Sequence, residues 1–102
     1  MIRVAVLYPN EEGKKFDMDY YLDKHVSLVK NLLNNLGLER VEVDKGIAGL
    51  EPGSPPPFVA IGYLYYEDMD AFQKCMTKAD ELMSDMPNFT DIQPQMQISE
   101  IA

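Results

Sequence analysis

The stretch FVAIGYLYY, residues 58–66, constrains this chain more than any other, because neither of its faces suits water. A strand sends successive side chains to opposite sides. Phe58, Ala60, Gly62, Leu64 and Tyr66 therefore share one face, and Val59, Ile61, Tyr63 and Tyr65 share the other, with no charge in either set. The opening IRVAVLY repeats the pattern. Ile2, Val4, Val6 and Tyr8 lie on one side, and Ala5 and Leu7 lie on the other with Arg3. An antiparallel sheet with one wet face alternates apolar with polar residues. This one must bury both faces, so its second face calls for a partner. The simplest is another copy of the chain, related by two-fold symmetry.

The rest of the chain supplies the other elements of such a sheet. The first strand stops at Pro9, which has no N–H to give a ladder. A helix starts at about Asp17, whose carboxylate can accept from the free N–H groups of the first turn. Phe16 and Tyr21 stand where a hydrophobic staple would hold that entry, and Asp19 adds negative charge near the positive helix end. The helix runs to Leu36 and stops at Gly37. LERVEVDKGIAG reads as a second strand, LEPGSPPPF as a proline-rich loop and FVAIGYLYY as the third strand. Asp68 caps a second helix from about Met69 to Ser84. DMPNFTDIQP is an irregular connection, and QMQISEI is the last strand. The order β-α-β-β-α-β predicts an α+β, ferredoxin-like domain over residues 1–102. A four-stranded antiparallel sheet carries two helices on one face.

Composition narrows the partners. A formal net charge of −8, with nine scattered basic residues, argues against nucleic acid. No apolar run approaches the roughly 20 residues that span a bilayer. The opening MIRVAVLYP carries one charge and turns polar within nine residues, so it reads as a strand and not as an export signal. The single cysteine, Cys75, rules out an internal disulfide and suits a reducing compartment. The expected location is the cytoplasm.

The only histidine sits in FDMDYYLDKHVSLV. At 100° per residue, Tyr21, Leu22, His25, Val26, Leu28, Val29, Leu32, Leu33 and Leu36 form one continuous apolar side. His25 is near its middle and Tyr21 one turn earlier, so the two are side-chain neighbours. Tyr20 is off this arc and expected to border solvent. His25 thus points between helix and sheet, where a neutral imidazole offers one donor and one acceptor for moving a proton. Two readings of it stay open: a proton-transfer group, or a buried histidine satisfied by a hydroxyl or carbonyl. No second histidine, paired cysteines or His/Glu spacing suggests a metal. No flavin, nicotinamide or phosphate-loop motif is present either, and no cofactor is expected. On the second helix Met69, Phe72, Met76, Ala79 and Met83 form a stripe read as core packing, although methionines also line adaptable pockets.

LYP, FDMDYYLDKH, VEVDKGIAG, FVAIGYLYYEDMDAFQ and DMPNFTDIQPQMQISEI together resemble the EthD family, named for ethyl tert-butyl ether degradation. The likeness runs almost the whole chain and is densest at Phe16, Tyr20, Tyr21, His25 and from Pro87 to Pro94. It implies a dimeric α+β barrel in which two ferredoxin-like sheets pack face to face. It also implies a link to oxidative catabolism of small molecules, without naming a reaction. On this reading a small apolar or aromatic ligand binds between helices and sheet. His25 is the general base or acid, with Tyr21 its hydrogen-bonding neighbour, and Tyr8, Phe16 and Phe89 are the pocket walls. Any redox step would need an external cofactor or substrate-derived carbanion chemistry with oxygen. The alternatives are a non-catalytic binding or accessory protein with the same pocket and, third, haem ligation through His25.

Overall fold

The computed structural model covers residues 1–102, and its elements follow the expected order. Strands β1 (Ile2–Pro9), β2 (Leu38–Lys45), β3 (Phe58–Tyr66) and β4 (Gln95–Glu100) form one antiparallel sheet in the order β2-β3-β1-β4. The two most apolar strands take the centre, where both edges are paired and no backbone group faces water. Register sets the faces: Val4 opposes Leu64, Val6 opposes Gly62 and Tyr8 opposes Ala60. These residues turn toward the helices, with Val41 and Val43 from β2 and Met96 and Ile98 from β4.

The other face carries Ala5, Leu7, Val59, Ile61 and Tyr63 at its centre. Arg40, Glu42 and Asp44 border it on one side, and Gln95, Gln97 and Ser99 on the other. The expectation of an apolar outer face therefore holds for the central strands and not for the edges. Tyr65 belongs to this face yet is buried within the protomer. The Arg40 guanidinium lies 3.9 Å from its ring centroid, and its hydroxyl donates to Glu42 at 2.6 Å.

The first helical arm is not a uniform helix. It comprises α1 (Met18–Tyr20), a π-helical turn over Tyr21–His25, α2 (Val26–Leu33) and a 3₁₀ turn over Asn34–Leu36. Asp17 caps it by accepting from the Tyr20 N–H at 3.0 Å, and Gly37 ends it at φ 109°. Leu22, expected on the apolar arc, is exposed instead, because the wider π turn rotates it outward. The second arm, expected as one helix, is broken at Thr77 and Lys78 into α3 (Met69–Met76) and α4 (Ala79–Asp85). Thr77 turns its hydroxyl back onto the Lys74 carbonyl at 2.7 Å, a local bond that competes with helix continuation.

Both arms pack on the face of Val4, Val6, Tyr8 and Ala60 to form the core, where Leu33 and Phe89 are its largest fully enclosed side chains. Each contributes on the order of 1.5–3 kcal/mol by leaving water. A clasp joins the first arm to the connection before β4. Phe16 bridges Thr90, the Asp17 N–H donates to the Phe89 carbonyl at 2.7 Å, and the Thr90 hydroxyl donates to the Lys15 carbonyl at 2.6 Å. That clasp brings the end of α4 beside the π turn.

Candidate functional site

Between the helices and the sheet lies a cavity of about 550 Å³, within the range of small-molecule sites. Of its 18 lining residues 16 are hydrophobic, and the other two are His25 and Gln97. Gln97 turns its amide toward Ser99 on the opposite face of the sheet, so it offers the cavity no side-chain polar group. His25 is the one nitrogen-bearing side chain in the wall that can exchange a proton.

Its geometry follows from Asp85. His25 Nδ1 lies 2.8 Å from Asp85 Oδ2. The other carboxylate oxygen accepts from the Tyr20 hydroxyl at 2.7 Å and from the Asn88 amide at 3.0 Å. Burial pushes the Asp85 carboxyl up, but the donors Tyr20, Asn88 and His25 together outweigh it and hold the group below the usual carboxylate range. An ionised Asp85 only accepts, so Nδ1 carries the hydrogen of this bond. No protein group hydrogen-bonds Nε2, and no buried side-chain nitrogen or oxygen lacks a partner. Nε2 therefore reaches open space, and on a cavity-lining residue that space is the cavity. In the neutral ring it is a proton acceptor.

Tyr21 does not hydrogen-bond His25, contrary to the sequence expectation. The π turn closes through the Val26 N–H onto the Tyr21 carbonyl and stacks the two rings, with centroids 5.6 Å apart and planes at 18°. Asp85 fills the bonding role instead. The Tyr21 hydroxyl reaches across to Tyr8 and to Gly62, where a Cβ would collide with it. Burial pushes the Tyr21 hydroxyl up to about 12, and it pushes Tyr8 further, helped by Tyr21. Both stay neutral phenols.

The remaining expected wall residues divide. Tyr8 lines the cavity; Phe16 and Phe89 do not. They stand behind it, Phe89 packing 4.6 Å from the His25 ring centroid and Phe16 5.0 Å from that of Tyr8. Tyr20 borders solvent as expected, half-buried, and its hydroxyl donates to Asp85. Sequence reasoning missed Asp85 altogether. Its one signal is an acid in the last turn of a helix, where the dipole disfavours it.

The exposed Met76, Met83, Met96 and Ile98 rim the cavity, so the methionine stripe forms more mouth than core. Cys75 is a buried wall residue whose thiol donates to the Leu36 carbonyl at 3.8 Å and is pushed up by burial, leaving it unreactive. No group of three or more His, Cys, Asp or Glu side chains is placed to hold a metal ion. No helix is long and apolar enough to cross a membrane.

The EthD domain model matches residues 11–93, a span that holds Phe16, the Tyr20–His25 turn and Asp85. An EthD-like protein from Ralstonia eutropha JMP134 is 40% identical. The match covers 97% of this chain and 89% of that one, with a TM-score of 0.91. An ethyl tert-butyl ether degradation family protein from Bacillus halodurans C-125 is 19% identical, with 100% and 99% covered and a TM-score of 0.65. A dimeric ferredoxin-like protein from an uncultured marine organism is 15% identical, with 99% and 97% covered and a TM-score of 0.55. These last two share the fold. No curated protein matches the chain. With most of its length matched by the domain model and a close structural counterpart at 40% identity, the chain belongs to the EthD family.

Proposed function

We propose that this protein is a cofactor-free acid–base catalyst acting on a small, mostly apolar or aromatic molecule held between helices and sheet. Its step serves the oxidative breakdown of such molecules. The observation that carries this reading is the His25–Asp85 pair at the wall of an otherwise apolar cavity. A carboxylate on Nδ1 fixes the tautomer, orients the ring and stabilises the imidazolium that forms when Nε2 takes a proton. A histidine kept only for packing has no need of an accessible second nitrogen. Tyr20 and Asn88 hold Asp85 ionised, and the Tyr21 ring fixes the plane of the imidazole.

The working form in this proposal is a homodimer in the cytoplasm. The outer sheet face supports the dimer: Leu7, Val59, Ile61 and Tyr63 are half-buried at its centre inside a polar border, the pattern of a face with a dry middle and a wet rim. The dimeric ferredoxin-like protein of the same fold is a precedent for such an assembly.

The test is isotope exchange. Weakly acidic aromatic and dicarbonyl compounds in deuterated buffer should exchange activated C–H positions faster with the protein present. His25→Gln should abolish the acceleration while the protein stays folded. Equal exchange by wild type and variant would reject His25 as the base.

A further inference from the structure

We infer that the cavity selects an uncharged acid: an apolar molecule bearing one ionisable O–H or activated C–H directed at His25 Nε2, to the exclusion of ligands that carry a permanent charge. This inference rests on His25 as proton acceptor and adds the class of ligand it receives.

Three observations support it. The wall holds no Lys, Arg, Asp or Glu, so a bound carboxylate or ammonium would lose its water and meet no fixed countercharge. Asp85 stands behind His25, outside the wall, with both oxygens already engaged, so it cannot receive a cationic ligand. The hydroxyls of the wall, on Tyr8 and Tyr66, are neutral phenols that offer no countercharge. The imidazole proton acceptor of the wall is Nε2, which in the neutral ring accepts a hydrogen bond. A ligand that offers a hydrogen there is bound; one that offers only a charge is not. The formal net charge of −8 works against anions even at a distance.

A neutral acid resolves the conflict between binding and chemistry. It enters without a charge to desolvate, and transfer of its proton to Nε2 creates an anion beside the imidazolium, which Asp85 backs. The O–H or C–H bond breaks, its electron pair stays on the ligand, and the proton ends on Nε2. Transfer is most effective when the acidity of the ligand matches that of the base that receives its proton. The body of the ligand is less restricted. The rim residues Met76, Met83 and Met96 are exposed and unbranched, and adapt to varied apolar shapes.

Three near-isosteric probes test this: nitrobenzene, para-nitrophenol and para-nitrobenzoate, measured by equilibrium dialysis and absorption. The pH is one at which free para-nitrophenol is mostly neutral. Nitrobenzene and para-nitrophenol should bind, and bound para-nitrophenol should show the absorption of its anion. Para-nitrobenzoate should bind roughly 100-fold more weakly, the order set by an unpaired buried charge. A Met83→Lys variant, with one cation on the rim, should recover at least about tenfold of that loss. Para-nitrobenzoate binding as tightly as para-nitrophenol would overturn the charge selection, as would a Met83→Lys variant with no gain. Para-nitrophenol bound with the spectrum of its neutral form would overturn His25 as the base, the reading underneath. Failure of all three probes to bind would overturn both.

Discussion

His25 and Asp85 are 60 residues apart in the chain and 2.8 Å apart in the fold, and the proton chemistry of the site hangs on that contact. Replacing Asp85 with Asn keeps the size and shape of the side chain and removes the acceptor that holds the hydrogen on Nδ1. The ring can then place it on Nε2, the wrong nitrogen for a base. Catalysed exchange should fall by about 10²–10⁴-fold, the usual weight of a general acid–base group. Exchange rates on variant protein of unchanged circular dichroism check this, and an active Asp85→Asn protein would refute the pairing.

His25 itself separates a working group from a packed one. In His25→Gln the chemistry should be lost while nitrobenzene, which needs no proton acceptor, still binds. A residue kept only for structure would instead cost about 1–3 kcal/mol of stability through groups left unpaired, with activity falling only as the folded fraction falls. Unfolding curves and ligand affinity measured on the same preparation decide between the two.

The pH dependence has a definite sign. Donors hold the folded Asp85 carboxyl below the ordinary value of 3.8, so between that value and its folded value the unfolded chain binds more protons. Stability from this group is thus complete above the unfolded pKa and is lost as pH falls through the folded one. Tyr20→Phe removes one donor and raises the carboxyl toward its ordinary value. Acid unfolding of Tyr20→Phe should begin at higher pH than that of the wild type, and acid titration followed by circular dichroism reads the difference.

Gly62 has a structural duty that Ala cannot fulfil, since a Cβ there meets the Tyr21 hydroxyl. Gly62→Ala should push Tyr21 off the sheet, tilt the ring stacked on it and cost about 1–3 kcal/mol. Pairing it with Tyr21→Phe, which removes the colliding hydroxyl, should restore most of the loss. A double-mutant cycle on melting curves gives the coupling.

The outer sheet face predicts the assembly. A dimer should persist at micromolar concentration over an interface of at least about 800 Å² per partner. Ile61→Lys, at the apolar centre of that face, should yield monomers. Light scattering on the two proteins settles the matter, and a monomeric wild type would remove the dimer from the proposal.

Much of the fold was legible because local signals and the global pattern agree. Asp17 and Asp68 cap as their positions demand, Gly37 takes the left-handed turn, and the alternation in IRVAVLY and FVAIGYLYY sets the helix-facing side. The site was legible only in part. Helical periodicity compares residues within one helix, so it found His25 and Tyr21. It could not find Asp85, which arrives from another helix through the Phe16–Thr90 clasp. Tyr20 borders solvent as its place off the arc suggests, but a helical wheel does not show the reach of its phenol to Asp85, a partner outside its own helix. Phe16 and Phe89 were placed in the wall because apolar character says that a side chain is buried, not which layer it occupies.

The π turn lets the first arm hold one extra residue without shifting the helix that follows it. Its closing bond spans five residues, from the Val26 N–H to the Tyr21 carbonyl, where an α turn would span four. A π turn carries one residue more than an α turn through about the same rotation. Removing one residue between Tyr20 and Val26 would let the helix close as an ordinary α turn with α2 still in phase. Val29 and Leu33 would stay in the core, and only the side chains inside the turn would be re-aimed. Homologous chains one residue shorter between Tyr20 and Val26 should therefore close this turn as α and keep the phase of the helix after it.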